Sequence, residues 1–150
     1  MKNIFTVAFF TFVSAAIVLS LPHQSHAQTQ RVIMAGYKQK PVVATSASGM
    51  ATVTLKGDTL KVNGDFEHLT SRFSGAYIMV NLKRGGSNQL YELDVKLNEE
   101  QTGGTLDPKS NTFVLSEAVK ELAQEGNLYI IISSFEYKNG EIRGNISPMK

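Results

Sequence analysis

After a short polar leader, Gln28 to Gln30, apolar and polar positions alternate along most of the chain. A strand turns successive side chains to opposite faces, so this period of two predicts half-buried strands. In ATVTLKG, Ala51, Val53 and Leu55 fall on one face and two threonines on the other. In DTLKVNGDF, Leu60, Val62 and Phe66 share a face, with Lys61 and Asn63 opposite. Lys56-Gly57-Asp58-Thr59 between these runs predicts a tight hairpin turn. AYIMVNL and QLYELDVKL predict two more strands, joined through Lys83 to Asn88. In the second of these, Tyr91, Leu93, Val95 and Leu97 form the expected core face, and Leu90, Glu92, Asp94 and Lys96 the other. NTFVLS predicts a short strand after the turn at Leu106 to Ser110.

One segment has helical spacing instead. Ala118, Val119, Leu122 and Ala123 form an apolar stripe, Ser116 is placed to cap its start, Glu117 sits in the first turn, and Gly126 fits the position just past its end. So short a helix is not stable alone, and it is expected to close one end of a sheet structure. The whole pattern predicts an all-β fold, a two-sheet Greek-key sandwich with one short helix.

The last hairpin, LYIIISSFEYKNGEIRGNI, poses a question of parity. A two-residue loop, Asn139-Gly140, would set Glu136 against Arg143 and Ile131, Ser133 and Phe135 on the face of Ile142 and Ile146. A three-residue loop, Lys138-Asn139-Gly140, with Gly140 left-handed, puts Ile130 and Ile132 on that face instead and brings Phe135 opposite Arg143. The first option adds exposed ion pairs of little worth. The second buries four isoleucines at about 1.5–3 kcal/mol each, so the second is expected.

The N-terminus changes the picture of compartment. Met1-Lys2-Asn3 is followed by an uncharged apolar run from Ile4 to Leu21, then Pro22 and a small-x-small site, Ser25-His26-Ala27. This predicts a cleaved signal peptide over residues 1–27; an uncleaved anchor is the alternative. Residues 28–35 are then a leader and the start of the first strand, and 36–147 a single domain, periplasmic or secreted. No membrane span is expected after cleavage. The chain has no cysteine, which excludes a disulfide scaffold and thiolate metal sites. It has 15 basic and 13 acidic residues, mixed along its length, so nucleic acid is not an expected partner. Oligomeric state is not legible.

Candidate chemistry is sparse. Beyond the signal segment the one histidine is His68, in GDFEHLTS, and there is no G-x-S-x-G elbow to pair with it. A solvated loop histidine is the simpler reading. One histidine and no cysteine do not make a zinc or copper site; Glu99, Glu100 and Asp107 lack calcium-loop spacing; and Gly85-Gly86 and Gly103-Gly104 read as turns, not phosphate loops. No catalytic residue, metal or cofactor is expected.

KPVVATSASGMATVTLKGDTLKVNGDFEHL, GAYIMVNL, SEAVKELAQEGNLYIIISSF and NGEIRGNI together resemble the CHRD domain, a module named after chordin and found in many bacterial exported proteins. The resemblance runs from about Gly36 to Ile146. Its most specific parts are Pro41 to Ala51 and Gly140-Glu141-Ile142-Arg143-Gly144. It implies an extracytoplasmic sandwich of immunoglobulin-like or superoxide-dismutase-like type with no assigned enzymatic activity. Gly140, Glu141, Arg143 and Gly144 are then a structural signature, with the Arg143 guanidinium near the Glu141 carboxylate pinning the closing strand. Members typically carry histidines where this chain has Tyr77, Met79 and Ser133. A member without them loses any metal site they would form; a dismutase-like role is thereby disfavoured. In their place Tyr77, Met79, Ile131, Ser133 and Phe135 form a candidate interaction face for a partner protein or a small apolar ligand. The expected function is a non-catalytic binding or interaction module at the cell envelope or outside the cell, with a purely structural envelope domain as the alternative.

Overall fold

A computed structural model describes residues 26–150, and the expected signal peptide lies almost wholly outside them. The described chain runs β1 (Gln28–Ala35), a 3-10 turn (Gly36–Lys38), β2 (Ser48–Lys56), β3 (Thr59–Glu67), β4 (Phe73–Asn81) and β5 (Ser87–Glu92). Then come β6 (Lys96–Leu97), β7 (Gly104–Leu106), β8 (Thr112–Val114), α1 (Glu117–Gln124), β9 (Leu128–Ser134) and β10 (Ile142–Asn145). Gln28 to Gln30 are not a leader: they pair with Val53 to Leu55 as the first residues of β1. They are all polar, so nothing in their own pattern announces a strand, and the neighbouring β2 supplies it.

The fold is all-β with one short helix. Its strands do not divide into two hydrogen-bonded sheets. They form one antiparallel ten-stranded sheet in the order β5-β4-β9-β10-β1-β2-β3-β7-β6, with β8 on β3. The sheet is curled, and its inner face holds the core, including Val32, Met34, Val53, Leu60, Ile78 and Ile132. The continuity comes from β1, which pairs along its whole length with β2 and through Ala35 with Arg143 of β10.

QLYELDVKL departs from the expected single strand. It breaks at Leu93–Val95 into β5 and β6, which lie at opposite ends of the strand order. The break is held from both sides. Leu93 N donates to Ala76 O of β4 at 2.8 Å. Asp94 N donates to Asn111 Oδ1 at 2.8 Å, and Asn111 Nδ2 returns bonds to Asp94 O and Asp107 O. The backbone polar groups released by leaving a strand are thus satisfied by a buried asparagine side chain. The inward parity of four residues survives: Leu93 is in the core, and Tyr91, Val95 and Leu97 pack against it, Tyr91 stacking on Phe113 at 4.6 Å. Leu90, expected on the other face, packs against the core as well, because it is the extra residue of a bulge between β4 and β5. The crossing carries the chain from one edge of the curled sheet to the other, the way strands turn corners between packed layers.

The helix follows its sequence. Ser116 Oγ accepts from Val119 N, Gly126 has φ +75°, and Val119, Leu122 and Ala123 pack inward. Ala118, expected in the apolar stripe, is exposed.

The closing hairpin keeps the expected parity with a different register. Ile132 pairs with Ile142 and Ile130 with Gly144, and all three isoleucines are fully buried. Arg143 lies opposite Ile131, not Phe135. The connecting loop runs over 135–141 and is longer than expected by an even number of residues, which preserves the faces while shifting the pairs. Two of the signature glycines are required by packing. At Gly140 the φ is +111°, and a Cβ would stand 2.0 Å from Gln39 Nε2 and 2.2 Å from Ile131 Cδ1. At Gly144 a Cβ would stand 2.5 Å from Val32 Cγ1 across the β10–β1 pair.

Candidate binding groove

While Ala76, Ile78 and Val80 of β4 point into the core, Tyr77 and Met79 point to the outer face. Tyr77 pairs with Ile131 and Met79 with Tyr129 on β9, and Ile131 pairs on its other side with Arg143 of β10. Directly paired residues share a face. Tyr77, Met79, Tyr129, Ile131, Ser133 and Arg143 therefore stand together, and they line an open groove of about 600 Å³. Its rim comes from elsewhere in the chain: Gln39 and Lys40 after the 3-10 turn, Ser87 and Gln89 on β5, and Lys138 and Asn139 in the β9–β10 loop.

Four of the five face residues singled out in the sequence thus come together, and Tyr77, Met79 and Ser133 occupy one groove. Phe135 does not join them. The chain leaves β9 at this point, Phe135 N bonding to Arg72 O at 3.0 Å and Glu136 N to Ser71 Oγ at 2.8 Å. Its ring is 56% exposed and lies 5.6 Å from the Arg72 guanidinium. The groove is also less apolar than the expected interaction face, because Lys40, Lys138 and Arg143 and several amides contribute to it.

Arg143 is the central feature. It is 8% exposed, and its guanidinium lies 3.6 Å from the centre of the Tyr129 ring. Its Nε donates to Asn145 Oδ1 at 2.9 Å and its Nη2 to Asn81 Oδ1 at 3.4 Å. No carboxylate pairs with it among the described residues. The expected Arg143–Glu141 pairing is therefore not formed, although both side chains are buried.

Glu141 belongs to a different construction. It sits just before β10, where three loops converge, and its own carboxylate joins them. Oε1 accepts from Thr45 Oγ1 at 2.5 Å, Thr70 Oγ1 at 2.7 Å and Thr70 N at 2.8 Å, and Oε2 accepts from Ser134 Oγ at 2.5 Å. Burial pushes this carboxyl's pKa up, but the bonds from Ser134, Thr45 and Thr70 together pull it further down, and it lies below the ordinary value. Neutral donors alone satisfy this anion, so it has no call on the Arg143 cation. Glu141 is a structural tie between the loops, and Arg143 is free of it.

What the groove offers is positive charge and hydrogen-bond donors. It has no acid–base pair of the kind hydrolysis needs. His68 lies in the exposed loop between β3 and β4, with φ +61°, and does not line it. Among the described residues no three His, Cys, Asp or Glu side chains gather as a metal set. Period two could have added Tyr129 to the expected face, since it has the parity of Ile131 and Ser133. Nothing local marks Gln39, Lys40 or Lys138, which reach the groove only because two loops fold over the same strand ends.

Neither the curated proteins nor the solved structures contain a match to this chain. The family comparison does find one, and it spans all the elements that build the groove and the Glu141 tie: residues 30–146 match the CHRD domain, and the chain belongs to that family.

Proposed function

We propose that this chain is a non-catalytic CHRD binding module that works outside the cytoplasm and holds its ligand in the groove over β4, β9 and β10. The observation that carries the reading is Arg143, a nearly buried cation without a carboxylate partner on the floor of an open groove. Removing a charge from water without an ionic partner is costly. The fold does not need a charge there to satisfy Glu141, so the cost is explained by a ligand. The extracytoplasmic reading is supported by the Met1–Ala27 pattern. The non-catalytic reading is supported by the groove's lining, which lacks histidine, cysteine and carboxylate side chains. The same lining speaks against a dismutase-like metal role.

Two experiments test this. Fractionation with N-terminal sequencing is expected to find the chain outside the cytoplasm and starting at Gln28. Immobilised full chain is expected to retain material from envelope and extracellular fractions that the Tyr77→Ala, Met79→Ala double variant does not. Equal retention by both would overturn the groove as the site.

A further inference from the structure

We propose that the groove takes an acidic saccharide, and that Arg143 receives its carboxylate or sulfate group. This rests on the binding reading above and gives the ligand a chemical class.

Charge comes first. Lys40, Lys138 and Arg143 line the groove, and no acidic side chain does. Glu92 stands opposite Tyr77 on the same outer face but outside the lining. Three cations in one concavity without a compensating acid focus positive potential into it.

The geometry of Arg143 is more specific. A guanidinium has five N–H donors in a planar fork. One on Nε and one on Nη2 are taken by Asn145 and Asn81, and the Tyr129 ring covers one face. All three holders are neutral, so they fix the group without discharging it. Both donors of Nη1 and the second of Nη2 have no protein acceptor among the described residues. These form the outer edge of the fork, the edge that takes an oxyanion through two parallel hydrogen bonds. A second donor in the same lining is also unfilled: Gln39 Nε2 has no partner, and the residue is 6% exposed.

The rest of the groove fits a polyol. The amides of Gln89 and Asn139 and the hydroxyl of Ser87 stand on its rim, the donor–acceptor pairs that vicinal hydroxyls require. The Tyr77 ring lies over Gly75, where a Cβ would stand 2.3 Å from its hydroxyl oxygen and 2.7 Å from Cε2. A ring laid along the sheet offers a flat platform to the C–H face of a sugar. A bare ion would use Arg143 alone and leave the platform and rim unused.

The test is calorimetric titration of the full chain with four probes: an oligogalacturonate, its fully methyl-esterified neutral form, a heparin-derived tetrasaccharide, and inorganic phosphate. At least one acidic saccharide is expected to bind on the order of tenfold or more tighter than the neutral ester, and to weaken as salt is raised. The two acidic probes separate carboxylate from sulfate recognition. Arg143→Met preserves volume and removes the charge; it is expected to keep the melting temperature and to abolish the preference for acid over ester. Lys40→Ala and Lys138→Ala, at exposed positions, are expected to weaken acidic-saccharide binding several-fold with the fold intact, and they decide the matter if Arg143→Met does not fold. Equal binding of acid and ester would overturn the assignment of Arg143 while leaving a binding groove. Phosphate binding as tightly as the saccharides would overturn the saccharide class. Binding of none of the four would overturn this proposal outright, while the retention experiment with the Tyr77 and Met79 variants judges the binding reading separately.

Discussion

The Glu141 tie makes a quantitative claim about stability. Glu141→Gln keeps the side chain's shape and removes its charge. In the wild-type chain the carboxylate accepts four hydrogen bonds, three at Oε1 and one at Oε2. Bonds to a charged group contribute about 1.5–3 kcal/mol and neutral ones about 0.5–1.5. The three at the retained oxygen each lose roughly 1 kcal/mol. The fourth must reverse, because the new amide donates where Ser134 Oγ donated before, and that oxygen already accepts from Tyr137 N. Relief from desolvating a charge returns part of the loss, which leaves a destabilisation of about 2–3 kcal/mol. For a domain of this size that lowers the melting temperature by roughly 10 °C. The pH dependence has a definite sign. The folded carboxyl has a lowered pKa, so the unfolded chain takes up a proton at higher pH than the folded one. Its contribution is complete above the ordinary carboxylate pKa and is lost as pH falls through the lower folded value. Melting by circular dichroism at neutral pH and in acid steps is therefore expected to show a gap between wild type and variant that narrows on acidification. A variant that melts within about 2 °C of wild type at neutral pH, or a gap unchanged in acid, would refute the tie.

Three further outcomes follow from the packing. Ile132→Ala is expected to cost about 2–5 kcal/mol in urea unfolding, whereas Phe135→Ala, on the exposed loop, stays within about 0.5 kcal/mol; comparable losses at both positions would contradict the observed faces. Gly140→Ala must accept φ +111° and displace Gln39 and Ile131, and is expected to lower stability by about 2 kcal/mol or more in the same assay. Asn111→Ala leaves Asp94 N–H without its acceptor at the β5–β6 crossing; a loss of about 1–3 kcal/mol and faster amide exchange at Asp94 are expected, and unchanged exchange would show that the crossing is held otherwise.

The strand faces were legible because burial repeats every second residue, and that repeat is written in each segment alone. Ala51, Val53 and Leu55 and the inward isoleucines of β9 and β10 read correctly for this reason, and the helix read from its own spacing and its Ser116 cap, with Ala118 the exception. The parity of the closing hairpin followed from the same rule, since four isoleucines outweigh exposed ion pairs whatever the loop length. The pairs themselves did not follow. The length of the 135–141 loop depends on Phe135 and Glu136 bonding to Arg72 and Ser71, residues of another loop. QLYELDVKL reads as one strand because its alternation is unbroken, and only the satisfaction of Leu93 and Asp94 by Ala76 and Asn111 shows where it turns.

By itself, then, the sequence determined the all-β class, the inward side of the strands whose alternation is clear, the family, and four residues of the outer groove. The tertiary structure decided that the strands join as one curled sheet, that Glu141 is spent on Thr45, Thr70 and Ser134, and that Arg143 shares a groove with Lys40 and Lys138 that no acidic side chain lines. Periodicity is a local property of the chain. Which charge finds which partner is settled by contacts between residues 71 and 96 positions apart, and no local pattern encodes them.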